Sequence, residues 1–275
     1  MGTLNRGSNM VDKSEKFEWL VRVGYFSRAI LYSVLGLIAL FSASRIAQGT
    51  DGVFQAIEDF PAGTVILWIL VVGLAAYGLF RLASPVFDIE NNGSDVKGWG
   101  KRLGHLGSAV GHFALAYSAY KFATAGGSSG DGAQQAAAGV LSFDFGGVVL
   151  GLLGIAFFVA AAHQAKRAFT GEFMQRLSSS APEHSETLGR IGFAARAVVF
   201  AIIGWSLVQA GFLGSGGAGQ VKTLGEALAS LAGTGLVFTL VAIGLLVFGI
   251  FSLILARYRI IPEMDPQGKV PAFRA

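Results

Sequence analysis

The sequence predicts an all-α integral membrane protein with six transmembrane helices, arranged as three parallel helical-hairpin repeats with pseudo-threefold symmetry about the membrane normal. Three observations predict it. The 275 residues are 53% hydrophobic and only 14% charged, against about 25% charged in an ordinary soluble domain. Apolar runs near 22–44, 62–84, 102–124, 145–167, 190–212 and 234–256 each reach the roughly 20 residues that cross a hydrocarbon core about 30 Å thick. One span–turn–span pattern recurs three times along the chain, and successive copies of a two-span unit necessarily share one topology, which relates them by an axis along the membrane normal.

Residues 1–21 form a polar segment of mixed charge, with no short apolar stretch before a cleavage signal. The small residues of "FSASR" at 41–45 follow the first span, and cutting there would remove the motif that recurs later, so an uncleaved signal anchor is expected. The first repeat occupies 22–88, the second 89–172 and the third 190–258; a cytoplasmic linker at 173–189 and a proline-bearing tail at 259–275 complete the chain. Each repeat opens alike, as Arg22-Val-Gly24-Tyr25, Arg102-Leu-Gly104-His105 and Arg190-Ile-Gly192-Phe193. Short extracytoplasmic segments follow at 53–63, 133–147 and 221–235, in which Ala56/Ile57/Phe60, Ala137/Ala138/Leu141 and Ala227/Leu228/Leu231 correspond. The second spans align on Gly73, Gly154 and Gly244, with Tyr77, Phe158 and Phe248 one turn later. A flexible polar loop is expected at 124–132.

The sequence pI near 9.4 reflects topology and excludes no ordinary membrane role. Lys and Arg collect in the N-terminal segment, the 81–102 and 166–190 loops and the C-terminal tail, whereas the opposite side carries Arg45, Lys121 and Lys222. Cytoplasmic loops hold the Lys/Arg excess, so both termini are expected in the cytoplasm. The expected partners are the lipid bilayer, its anionic head groups and other integral membrane proteins; no nucleic acid is implied.

On the first spans, Tyr25, Ala29, Tyr32 and Gly36 share one helical face, and Phe193, Ala197, Phe200 and Gly204 repeat it. In the second repeat His105, Ala109, His112 and Ala116 take those places. A seam alternating rings with small residues suits close helix packing in lipid. Gly107 with Gly111, and Gly147 with Gly151, add two GxxxG pairs of the same kind.

These features resemble the bacterial membrane-protein family catalogued as domain of unknown function 1206. The Arg-x-Gly-aromatic-x-x-Arg-Ala start, the glycine further along the span, and the Ala-rich segment leading into a Gly/aromatic second span carry the resemblance over roughly 17–260. It implies a bacterial inner-membrane protein of three two-helix units and implies no reaction.

The candidate polar residues are few. Arg28 and Arg196 lie six residues inside Arg22 and Arg190, about 9 Å deep, and Ser108 replaces them in the second repeat. Three readings are open for them: an anchor extending back to the head groups, inter-repeat hydrogen bonding to helix ends, or an anionic substrate or lipid site. Arg102 belongs with Arg22 and Arg190 at the boundary. His112 lies near mid-membrane, where a neutral imidazole bonded to a neighbour such as Tyr32 competes with a proton or ion pathway. His105 and His163 have matched depth, the only pairing that admits axial haem ligation; His105 and His112 are about 10.5 Å apart on one helix and cannot share a metal.

Enzyme classes find little support. Cysteine is absent, and the 17 acidic residues fall outside the apolar runs, so no buried carboxylate relay is predicted. No phosphate loop, HExxH or GxSxG motif occurs. No catalytic residue, cofactor or metal is therefore expected, and the leading expectation is a non-catalytic structural or accessory subunit that packs against lipid or a larger membrane complex. The alternative is a small transporter or channel for protons, ions or small solutes along the pseudo-threefold axis, and a third reading is a b-type haem protein.

Overall fold

A computed structural model describes residues 12–41, 49–87, 95–125, 132–214 and 216–261. Most of the loop expected at 124–132, the stretch after the first span and nearly all of the tail lie outside the described residues. The helices are α1 (Asp12–Phe41), α2 (Gly49–Glu58), α3 (Gly63–Phe87), α4 (Val96–Ala125), α5 (Gly132–Leu141), α6 (Gly146–Thr170), α7 (Ser185–Gly211), α8 (Leu224–Ala229) and α9 (Leu236–Tyr258). Five of them, α1, α3, α6, α7 and α9, are long and apolar enough to cross a membrane. The remaining long helix, α4, spans 30 residues but carries Lys97, Lys101, Arg102 and two histidines, and is less apolar.

The apolar runs read from the sequence coincide with these long helices, several of which begin earlier. Helix α1 starts at Asp12 and α7 at Ser185. The added turns carry Glu18 and Glu186, which pair with Arg22 and Arg190 at i,i+4.

Adjacency follows the repeats with one exception. The second span of each unit packs on the first span of the next, as α3 on α4, α6 on α7 and α9 on α1. Within the first and third units the two spans also pack together, α1 with α3 and α7 with α9. Among the described residues, no comparable interface joins α4 to α6, so the second hairpin is splayed.

Glycines explain the closed hairpins. Gly24 faces Tyr77 so closely that a Cβ would lie 2.7 Å from the Tyr77 Cβ, and at the equivalent Gly192 it would lie 2.8 Å from Phe248. A ring on the second span thus seats against backbone on the first, the close approach that drives association in lipid. In the second unit the same joint is unmade: Gly104 and Gly107 have no neighbouring atom within 4 Å of a built Cβ, and Phe158 is 38% exposed.

The short helices close the opposite end. Helices α2 and α8 pack on each other and both touch α1, burying Val53, Phe54, Ile57, Ala227 and Leu228. A Thr223/Glu226 capping box holds the start of α8. Phe60 is exposed, whereas Leu231, with which it aligns, is half-buried. Where these helices meet α1 and α4, a cavity of about 10 Å³ lined by Leu31, Leu35, Val53, Leu115, Leu224 and Gly225 remains, about one water in size and apolar. The linker is ordered: Phe173 stacks on Phe193 and Phe251, and the Ser178 N–H donates to the Tyr258 carbonyl at 2.9 Å while the Ile260 N–H donates to that of Arg176 at 2.9 Å.

Candidate functional site

The boundary and inner arginines of the repeat do different work. Arg22 Nη1 donates to the carbonyls of Ala256 and Arg257 at the end of α9, at 2.7 and 2.6 Å. Arg190 Nη1 donates to those of Ala168 and Phe169 at the end of α6, at 3.2 and 2.5 Å. The last carbonyls of a helix lack intrahelical donors and carry negative partial charge, so each guanidinium caps the unit packed beside it. Arg102, at the same register on α4, lies over the Trp99 ring at 5.1 Å.

Arg28 does not reach back to the boundary; it is 6% exposed. Its Nη1 donates to the Tyr77 hydroxyl at 2.9 Å and its Nε to the Ser252 hydroxyl at 3.3 Å. Ser252 is aligned for this because its own proton goes to the Phe248 carbonyl at 2.8 Å. The guanidinium carbon sits 4.6 Å from the Tyr25 ring centroid, 4.9 Å from Phe248 and 5.3 Å from Tyr77. Aromatic faces stabilise a desolvated guanidinium by up to about 2 kcal/mol each.

Tyr77 is a node for two arginines. Arg81 donates to the same hydroxyl from Nε at 3.0 Å and Nη2 at 2.7 Å. Arg81 Nη1 lies 2.6 Å from His105 Nδ1; guanidinium only donates, so Nδ1 accepts. The His112 ring packs on Tyr77 with centroids 4.5 Å apart. His112 does not bond Tyr32: its Nδ1–H donates to the Ser108 carbonyl of its own helix at 2.7 Å.

Arg196 forms the matching node on α7. With the Gln164 amide oriented as the surrounding donors require, Oε1 accepts from Nη1 at 2.9 Å and Nη2 at 3.2 Å. Its guanidinium carbon lies 4.6 Å from Phe248, 4.8 Å from Phe200 and 5.4 Å from Tyr32. Arg196 Nε is buried and has no acceptor among the described residues. Phe248 therefore touches both inner arginines, and among the described residues no carboxylate pairs with either.

The seam faces inward. Tyr25, Ala29, Tyr32, Gly36, Ala109, Ala116, Phe193 and Gly204 are buried, with Ala197 and Phe200 half-buried. Gly36 abuts α9 at Ala242 and Leu246, and Gly204 abuts α6 at Gly154. Gly147 and Gly151 pack on Gly211 and Phe212, whereas Gly107 and Gly111 meet nothing. His163 is exposed on α6 and His105 is engaged by Arg81; they stand on two helices without a shared interface. Five contributors escaped the sequence reading as site residues: Tyr77, Arg81, Gln164, Phe248 and Ser252. The signal for Arg81, Gln164 and Ser252 was polarity within apolar runs, and Tyr77 adds a hydroxyl where the other units have phenylalanine.

Tandem hairpins of long apolar helices, joined by capping arginines and a buried aromatic–arginine core, define a multi-pass helical membrane protein. The chain belongs to the family described as Domain of Unknown Function (DUF1206), which matches residues 23–88, 103–171 and 191–259. It is similar to the uncharacterized protein YxxB of Bacillus subtilis (strain 168), 27% identical over 260 residues, which are 90% of this chain and 94% of that relative. No solved structure matches it.

Proposed function

We propose that this chain is a non-catalytic accessory protein of the bacterial inner membrane, with both termini cytoplasmic, that receives a transmembrane helix of another integral membrane protein along α4. The unmade joint of the second hairpin carries this reading. Gly100, Gly104, Gly107 and Gly111 follow one another at spacings that place them on one helical face, and none meets a neighbouring atom within 4 Å. Gly104 holds the register that Tyr77 and Phe248 fill in the closed units. Flexible lipid tails gain nothing special from a glycine face, whereas a helix gains close backbone approach. The three units derive from one pseudo-threefold plan, of which the second has opened. Transport along the axis is the second reading; the void where α2 and α8 meet α1 and α4 is apolar and about 10 Å³.

A photo-crosslinking residue at Gly107, in native membranes, tests this. The expected result is one reproducible adduct with another polypeptide, lost when Gly104 is replaced by Phe and absent with the probe at the exposed Leu253 of α9. Adducts confined to lipid or to this chain itself overturn it.

A further inference from the structure

We propose that Arg28 and Arg196 together bind a phosphate group inside the bundle, reached through the space between α4 and α6. Two guanidiniums present ten N–H donors, and the described protein acceptors satisfy four: Tyr77 and Ser252 take one each, and Gln164 takes two. Among the described residues, the buried Nε of Arg196 has no acceptor. Arginine cannot shed its proton to escape this, and no carboxylate among the described residues pairs with either side chain. Ring faces offset part of the charge but accept few N–H bonds.

Position favours a shared ligand. The two guanidinium carbons are less than 10 Å apart, because 4.9 and 4.6 Å to the one Phe248 centroid set the limit. A tetrahedral anion held by N–H···O bonds of about 2.8 Å from two forks keeps the guanidinium carbons about 8 Å apart, within that limit, and the planar fork matches pairs of phosphate oxygens. Both helices bordering the splayed hairpin touch this centre, α6 through Gln164 and α4 through His112 on Tyr77. At the register of the two arginines α4 carries Ser108 in place of a third cation. A free phosphate and a lipid phosphodiester offer the same chemistry.

The test uses the full chain in maltoside micelles, which carry no phosphate. In one series inorganic phosphate is titrated at constant ionic strength against chloride; in a second, phosphatidylglycerol is added to the micelles with no inorganic phosphate. A saturable rise of the thermal midpoint in the first series identifies a free-anion site, and a rise in the second alone identifies a lipid phosphate. Arg196→Gln is expected to weaken the responding series at least tenfold, and Arg190→Gln, at the helix-end cap, to leave it unchanged. Arg196→Lys, which keeps the charge, serves if the glutamine variant does not fold and is expected to weaken it through loss of the fork. No midpoint shift in either series with wild-type protein, or an undiminished shift in the folded Arg196 variant, overturns the proposal.

Discussion

Placing alanine at one register position of the repeat separates the closed hairpins from the open one. Gly24, Gly104 and Gly192 occupy that position. A Cβ at residue 24 would lie 2.7 and 2.9 Å from the Cβ and Cα of Tyr77, and at residue 192 it would lie 2.8 Å from both atoms of Phe248. Carbon atoms pack best about 3.5–4.0 Å apart, so each hairpin would have to open by up to about 1 Å. Backbone atoms are involved, which leaves no rotamer change to relieve the clash, and such overpacking costs about 1–3 kcal/mol. Position 104 has no atom within 4 Å. There alanine only reduces the freedom of the unfolded chain and is worth about 0.5–1 kcal/mol in favour of the helix. The same chemical change therefore has opposite signs, with Gly24→Ala and Gly192→Ala destabilising and Gly104→Ala stabilising. Reversible unfolding by SDS titration in mixed micelles, followed by circular dichroism, measures all three. A Gly104→Ala loss equal to that of Gly24→Ala would show the α4 face to be packed, and would sink both the splayed hairpin and the docking reading.

Tyr77→Phe removes the acceptor shared by Arg28 and Arg81 and is expected to cost about 1–3 kcal/mol in the same unfolding assay. Arg190→Gln removes the cap on α6; a loss of about 0.5–1 kcal/mol, with faster amide exchange confined to the last turn of α6, is expected. Glu172, outside the spans, is held below the usual carboxylate range chiefly by its hydrogen bond from Lys166, 2.7 Å long. A depressed carboxyl pKa stabilises the fold above the unfolded value, about 4.3, and that contribution disappears as pH falls through the folded value. Carbon-detected NMR should accordingly find the Glu172 carboxyl titrating below ordinary glutamate in wild type and returning to it in Lys166→Met.

The span pattern was legible because it is local. A run of apolar residues long enough to cross a bilayer, opened by Arg-x-Gly-aromatic, needs no knowledge of partners, and the long helices coincide with those runs. The seam of Tyr25, Ala29, Tyr32 and Gly36 was legible for the same reason, since helical spacing alone places it on one face. The fate of Arg28 was not. Depth permits a guanidinium either to extend toward the head groups or to turn inward, and the choice rests on Tyr77 and Ser252, which lie on other helices far along the chain. Arg22 shows the same dependence, capping carbonyls of Ala256 and Arg257 at the opposite end of the sequence. Gln164 stood in an apolar run and carried a readable signal, but that it meets Arg196, on another helix, was not readable.

Hydropathy and repeat register are properties of consecutive residues, and they specify a membrane-embedded chain of three copied hairpins. That two hairpins close while the second stays open, and that the inner arginines turn toward a common ring, follows from contacts between distant helices. Helix association in lipid depends on which surfaces meet within a few tenths of an ångström, and that is a property of pairs of distant residues.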